Sequence, residues 1–248
     1  MSSSVPSNVH VSNHPCLRAK LSLLRSQSTK AREAKQLVHE IATIIGSEAF
    51  AHGLKTSQKG TVRTSREIDQ PFPNQPLLKT NQGASPLGYE YTTETISPAS
   101  VCLVPILRSG LSMVDALQSL LPEPVPIHHL GMYREKTTLN PVEYYNNLPY
   151  HKAGDESKVP ELAIVVDPII ATGSTICAAI ETLRDWGVPR IITISVLASE
   201  GGLQKAAEFW PEGVEVWAGG VDAGTDENGM IKPGLGDIGD RLFLTVGK

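Results

Sequence analysis

Asp167 and the run Ala171-Thr172-Gly173-Ser174-Thr175 are residues whose types and spacing could do chemistry. A carboxylate at the end of an apolar run can accept from a sugar's hydroxyl pair. A small-residue loop rich in hydroxyls, opening a helix, can hold a phosphate through free backbone N–H groups and the helix dipole. The loop is neither a Walker A sequence nor a GxGxxG fingerprint, which disfavours a nucleotide triphosphatase or a Rossmann dehydrogenase. An ordinary strand-turn-helix connection also accounts for these small residues when they are taken alone. Arg108-Ser109-Gly110 follows a second apolar run and sets a guanidinium fork, suited to phosphate or pyrophosphate, beside a small loop. A surface salt bridge explains Arg108 equally well in isolation. Arg134 stands in a polar, aromatic stretch reaching Pro149 that could close over a ligand as a lid. Glycines 229, 234, 236 and 239 with Asp237 and Asp240 cannot form a regular helix or strand interior. They present backbone groups to whatever lies against them, and a planar heterocycle with alternating donors and acceptors suits such an edge. The competing calcium loop lacks the EF-hand spacing and its glutamate.

Alternating strands and helices must position these groups. Val101–Val104 and Ala163–Val166 read as strands buried on both faces, 125–130 as a third, and Arg190–Leu197 and Val214–Ala218 as two more. Helices are expected over 111–121, over 176–186 with Ile176, Ala179, Ile180 and Leu183 inward, and over 202–210. An earlier helix runs from Ser28 or Thr29 to about Ala49, its stripe of Leu37, Val38, Ile41, Ile44 and Ile45 burying against the sheet or a second subunit. This spacing argues an α/β fold, a central mostly parallel sheet flanked by helices, with Arg108 and Asp167 at its carboxyl edge, where open α/β sheets bind ligands. Residues 53–98 are weakly periodic, with possible strands at Thr61–Arg63 and Tyr89–Thr92 and a loop over 70–88.

At 248 residues, 40% hydrophobic and 19% charged, the chain can bury a sizeable core. Its formal charge of −4 argues against nucleic-acid and anionic-membrane partners. Cys16, Cys102 and Cys177 have no metal-like spacing and suit reduced thiols in the cytoplasm. No apolar run approaches the roughly 18 residues of a membrane span. Residues 1–15 read as a flexible N-terminal tail and 16–248 as a single domain. His128 and His129 read as core or edge residues of the third strand, and no Ser/His/Asp or Cys/His arrangement is visible.

Together the motifs resemble a known family. Asp167-Pro-Ile-Ile-Ala-Thr-Gly-Ser-Thr175 looks like the phosphoribosyl pyrophosphate loop of type I phosphoribosyltransferases, in the variant with proline at the second acidic position. With Val104-Pro-Ile-Leu-Arg-Ser-Gly110, Gly131-Met-Tyr-Arg-Glu135 and Pro233-Gly-Leu-Gly-Asp-Ile-Gly-Asp-Arg241 it is similar to the uracil phosphoribosyltransferases. The likeness runs from about residue 14 onward. It implies a type I phosphoribosyltransferase fold whose glycine-rich C-terminal segment forms a hood, and conversion of uracil and phosphoribosyl pyrophosphate to UMP and pyrophosphate, a step of pyrimidine salvage. By the resemblance, Asp167, Pro168, Ile169, Ile170, Ala171, Thr172, Gly173, Ser174 and Thr175 bind phosphoribosyl pyrophosphate. Arg108 and Arg134 hold its pyrophosphate, and Ile231, Gly236, Asp237 and Ile238 read the uracil edge. Asp237, Arg108 and Arg134 form the implied catalytic set. Magnesium is expected with the substrate, GTP as an effector in some members, and a homodimer or homotetramer as the assembly. Ser174 stands where the family commonly has glycine; if that position needs φ > 0, serine costs roughly 1 kcal/mol there. That departure leaves room for a non-catalytic regulator or partner subunit. Ile238 stands where other members carry alanine or an aromatic residue, which bears on base choice.

Overall fold

Three apolar runs build the centre of the sheet: β6 (Val101–Leu107), β9 (Leu162–Val166) and β11 (Ile191–Ser195). Nearly every residue in them is buried, as expected of strands covered on both faces. The structure, a computed structural model, describes residues 6–58, 82–135, 141–150 and 159–245.

The main sheet has seven strands in the order β1-β13-β11-β9-β6-β7-β8. Here β1 is Val9–Val11, β7 Leu130–Arg134, β8 Pro141–Asn146 and β13 Val214–Ala218. Every pairing is parallel except that of β7 with β8. The third strand begins later than its expected 125–130. Pro122, Pro124 and Pro126 have no N–H to give a ladder, so the preceding stretch makes one bridge, Ile127 to Leu103. The expected lid over 134–149 is in its described part a hairpin arm, because Val142, Tyr144 and Tyr145 favour a pleated strand and extend β8 along β7. Residues 136–140 of that stretch lie outside the described residues.

Helices cover both faces. Helix α2 (Ala31–Gly53) buries Leu37, Val38, Ile41 and Ile45 as expected, and Ile44 only partly. It packs on α1 (Pro15–Arg25), α3 (Leu111–Gln118), β11 and β13. Its apolar stripe is thus covered within the chain and gives no argument for a second subunit. Helix α1 was not anticipated, although Leu17, Leu21 and Leu24 lie at i, i+4 and i+7 and all are buried. On the other face α4 (Ser174–Trp186) and α5 (Glu200–Phe209) pack together, and Ile176, Ala179, Ile180 and Leu183 join one core with Cys102, Val104 and Val165. Burial pushes the Cys102 thiol up to about 12, so it is inert packing.

Three strands do not stop where the main sheet ends. After β9, β11 and β13 the chain bends and resumes as β10 (Ile169–Ile170), β12 (Leu197–Ser199) and β14 (Val221–Asp222), a small parallel sheet in the order β10-β12-β14. Pro168 makes the bend possible: it offers no donor, while its carbonyl accepts from both Val196 N and Leu197 N at 3.0 Å. Beyond it lie the pair β15 (Gly224–Thr225) and β16 (Ile231–Lys232) and the short helix α6 (Ile238–Phe243).

Where the sequence reads a single domain, the chain clusters into two compact units, residues 1–53 with 100–248, and residues 54–99. In the second unit β2 (Lys55–Gln58) pairs antiparallel with β5 (Glu94–Ser97), and β3 (Gln82–Ala84) with β4 (Glu90–Thr92). The expected strand at Tyr89–Thr92 is therefore present, β3 interrupts the loop expected over 70–88, and Thr61–Arg63 lies outside the described residues.

The expected N-terminal tail is also corrected in part, because Val9–Val11 form a parallel edge strand on Val216–Ala218. Asn8 fastens it: its Nδ2 donates to the carbonyls of Ala207 and Val214, both at 3.0 Å. Asn8→Ala removes both bonds from partly buried carbonyls and should destabilise the protein by about 1–2 kcal/mol in urea melts. An unchanged midpoint would mean that docking of β1 contributes nothing.

Candidate functional site

The carboxyl edge of the sheet opens into a cavity of about 320 Å³. Its walls include the β6–α3 loop with Arg108 and Ser109, the segment Asp167 to Thr175, and the C-terminal segment with Ile231 and Gly236 to Ile238. Of the expected site residues, Arg108, Asp167, Ile169, Ile170, Ala171, Thr172, Gly173, Thr175, Ile231, Gly236, Asp237 and Ile238 line it. Pro168 and Ser174 do not. Pro168 is instead the buried bend, and Ser174 sits in the first turn of α4. Arg134 ends β7, and its side chain lies outside the described residues.

The loop from Ala171 to Thr175 is shaped by Gly173. It occupies the left-handed region at φ 76°, and a Cβ there would meet the carbonyl oxygen of Gly202 at 2.7 Å. Having no side chain, it cannot cap α4, whose first-turn N–H groups face the loop without intrahelical acceptors. The strained position is thus 173. Ser174 is helical and carries none of the penalty that its replacement of glycine raised. Its hydroxyl accepts from Lys205 Nζ at 2.8 Å, which brings a cation from α5 to the loop. On the other flank Ser199 Oγ donates to the Ala171 carbonyl at 2.6 Å and accepts from Gly202 N at 2.9 Å, tying the loop to the N-terminus of α5.

Asp167 follows β9 directly, and Ser109 Oγ donates to its Oδ1 at 3.1 Å. Gly110 allows that approach, since a Cβ would lie 2.4 Å from the Val166 carbonyl oxygen. Arg108 is exposed on the cavity, with its guanidinium carbon 5.7 Å from the centre of the Phe243 ring of α6. Tyr133 and Tyr144 of the β7–β8 hairpin also line the cavity, their rings 6.1 Å apart. His128 does not line it; its ring meets Trp186 edge-on at 5.3 Å, as a packing role requires.

The C-terminal hood is held from beneath. Arg25 of α1 makes a two-pronged pair with Asp222 of β14, at 2.8 and 2.7 Å, and donates to the Gly234 carbonyl at 2.7 Å. Asp222 Oδ2 in turn accepts from Gly234 N at 2.9 Å. Arg241 donates to the carbonyls of Leu24 and Leu235 at 2.6 and 2.7 Å, and to that of Ser26 at 3.0 Å. Asp237 caps α6 by accepting from Asp240 N at 3.0 Å. The sequence reading missed Arg25, Ser109, Lys205 and Asp222 as supports of the site. No local pattern marks them, because their side-chain partners lie 31 to 197 residues away.

Burial alone would raise the Asp222 carboxyl, but hydrogen bonds from Arg25 and Gly234 and the charge of Arg25 outweigh it and hold the group below its ordinary value. A depressed carboxylate contributes stability above its unfolded value of about 3.9, and that contribution is lost as pH falls through the folded value. Asp222→Asn should therefore destabilise the protein at pH 7, by about 3 kcal/mol, because Arg25 is left partly buried without its anion. The gap to wild type should narrow below about pH 4. A gap independent of pH between 3 and 7 would refute the ion pair as the source. Gly202→Ala, whose Cβ would lie 2.2 Å from the Ala171 carbonyl oxygen, should displace the phosphate loop and weaken phosphate-ester binding while α5 stays folded. Equal affinity in wild type and variant, measured by calorimetry with a nucleoside monophosphate, would contradict that placement.

The match to the uracil phosphoribosyltransferase family spans residues 11–245. Urg2 of Schizosaccharomyces pombe is 36% identical over 237 residues, covering 96% of this chain and 90% of its own. The uracil phosphoribosyltransferase of Listeria innocua is 36% identical over 239 residues, covering 96% and 99%. The solved AQ2163 protein from Aquifex aeolicus is similar with a TM-score of 0.76 at 26% identity, over 96% of this chain and 98% of that one. The fold, the cavity edge and these likenesses agree, and the chain belongs to the uracil phosphoribosyltransferase family.

Proposed function

We infer that this protein transfers the phosphoribosyl group of phosphoribosyl pyrophosphate to uracil, forming UMP and releasing pyrophosphate. The observation that carries this reading is one cavity that joins an uncapped helix N-terminus, an exposed arginine and a strand-end aspartate to a glycine-rich hood. The first three suit a sugar phosphate and its pyrophosphate; the hood suits a planar base. Family membership supplies the base and the donor.

In this reading the loop Ala171–Thr175 binds the 5′-phosphate, with Lys205 adding positive charge through Ser174. Asp167, steadied by Ser109, accepts from the ribose hydroxyls. Arg108 and Arg134 hold the pyrophosphate, while Ile231, Gly236, Asp237 and Ile238 receive the uracil edge. The bond from C1′ to pyrophosphate breaks, a C1′–nitrogen bond forms, and uracil gives up its N–H proton. Because the transition state is oxocarbenium-like, the protein's contribution is positioning and stabilisation of the departing charge, and no strong nucleophile is required. Magnesium belongs to the donor substrate. A dimer or tetramer and a GTP effector rest on the family resemblance alone. So does a cytoplasmic location; no described helix is long and apolar enough to cross a membrane.

The test is UMP formation from uracil, phosphoribosyl pyrophosphate and magnesium, with orotate, hypoxanthine and adenine run in parallel. Turnover with uracil alone is expected; binding of UMP without turnover on any base would overturn the enzymatic reading. Asp167→Asn should lower kcat/KM by two orders of magnitude or more, about 3 kcal/mol of transition-state stabilisation, with an unchanged melting temperature. Arg108→Ala should raise the KM for phosphoribosyl pyrophosphate more than that for uracil, and an equal rise in both would contradict its role.

A further inference from the structure

A second group of chemistry-bearing side chains sits at the opposite, amino-terminal edge of the sheet. His10 comes from β1, His52 from the last turn of α2, and Glu215 from the second position of β13. His10 Nε2 lies 3.4 Å and His52 Nε2 3.2 Å from the same atom, Glu215 Oε2. One ligand atom from each of the three residues falls within 4.8 Å of the others. The three residues line a cavity of about 200 Å³ that is separate from the substrate cavity.

Two features say that this is more than a casual ion pair. Glu215 Oε2 is buried, and among the described residues no group donates to it in full hydrogen-bond geometry, although both imidazole nitrogens stand beside it. A buried carboxylate oxygen approached by two ring nitrogens calls for a positive centre, and an ion held between the three atoms would supply it. The spacing also fits one. For bonds of 2.0–2.1 Å in a tetrahedral site, neighbouring ligand atoms stand roughly 3.4 Å apart, close to both nitrogen–oxygen separations found here. The ring of His10 is fixed by stacking on Trp217, with centroids 4.2 Å apart and planes 15° from parallel. His52 is half exposed and can turn to close the nitrogen–nitrogen separation.

We propose that His10, His52 and Glu215 form a binding site for a divalent transition metal of the zinc class. Two imidazoles and one carboxylate select such an ion over magnesium or calcium, and the cavity leaves the fourth position to water. Arg190 and Glu212 also line the cavity and offset each other's charge. The bound ion ties the edge strand β1 to α2 and β13, three segments far apart in the chain. It acts on the stability of the N-terminal region and takes no part in the chemistry at the other edge.

The experiment is calorimetric titration of the metal-stripped full-length protein with Zn2+, with thermal melts in zinc and in chelator. One site per chain is expected, together with a rise in melting temperature on saturation. His52→Ala and Glu215→Gln should each weaken binding by at least about 100-fold, since groups that merely orient a metal ligand are worth roughly 10–100-fold. Both should abolish the zinc-dependent rise. His52 is half exposed, so His52→Ala should fold normally and tests the site even if Glu215→Gln does not. Failure of the wild type to bind micromolar Zn2+ overturns the proposal. So does binding that persists unchanged in both variants, as at the exposed Cys16 thiol.

Discussion

The substrate edge depends on a bend made three times over. A parallel sheet ends with unpaired carbonyls and side chains at its carboxyl edge, and a chain that simply turned away there would leave the connecting loops unsupported. Here β9, β11 and β13 each bend and pair again as β10, β12 and β14. Pro168 is the pivot, a residue that cannot donate and whose carbonyl takes two N–H groups from the neighbouring strand. The small sheet gives each functional segment a rigid footing. β10 delivers the loop Ala171–Thr175, β12 delivers Ser199 to fasten that loop, and β14 delivers Asp222 to hold the hood.

The hood itself has little regular structure, and beside its buried Ile231, Leu235, Ile238 and Leu242 it is held by polar contacts. Arg25 and Arg241 supply them, reaching from α1 and from α6 to carbonyls that no strand would satisfy. Such bonds to a charged donor are worth more than neutral ones and define a direction as well as a distance. The segment that would read the base therefore depends on a helix more than two hundred residues earlier. Phe243, near both Lys35 and Arg108, adds a contact from the hood's last helix to the exposed arginine of the cavity.

The two edges of the sheet carry different kinds of chemistry. At the carboxyl edge, uncapped N–H groups and arginine favour an anion. At the amino edge, two imidazoles and a partly buried carboxylate favour a cation. The sheet separates them, so a metal at one edge would act on the other only through the stability of the strands between.

The sequence by itself determined the repeating strand–loop–helix order, because a buried parallel strand must be apolar along its whole length and an amphipathic helix must repeat every 3.6 residues. It also marked Asp167, Gly173 and the glycine-rich hood, since local backbone demands leave a local trace. Helix α1 was legible too, in Leu17, Leu21 and Leu24, though its stripe was not recognised. What only the tertiary structure decided are the contacts between distant segments. Ser174 read as a substituted glycine until Gly173 proved to hold the positive φ. Residues 9–11 read as tail until Val216–Ala218 supplied a partner strand. Arg25 and Asp222 are ordinary surface-type residues in the sequence and a partly buried clamp in the fold, and His10, His52 and Glu215 are likewise brought together only at the opposite edge. Side chains brought together across long stretches of chain leave no periodic signal, because their pairing is set by how the sheet and helices pack and not by their neighbours in sequence.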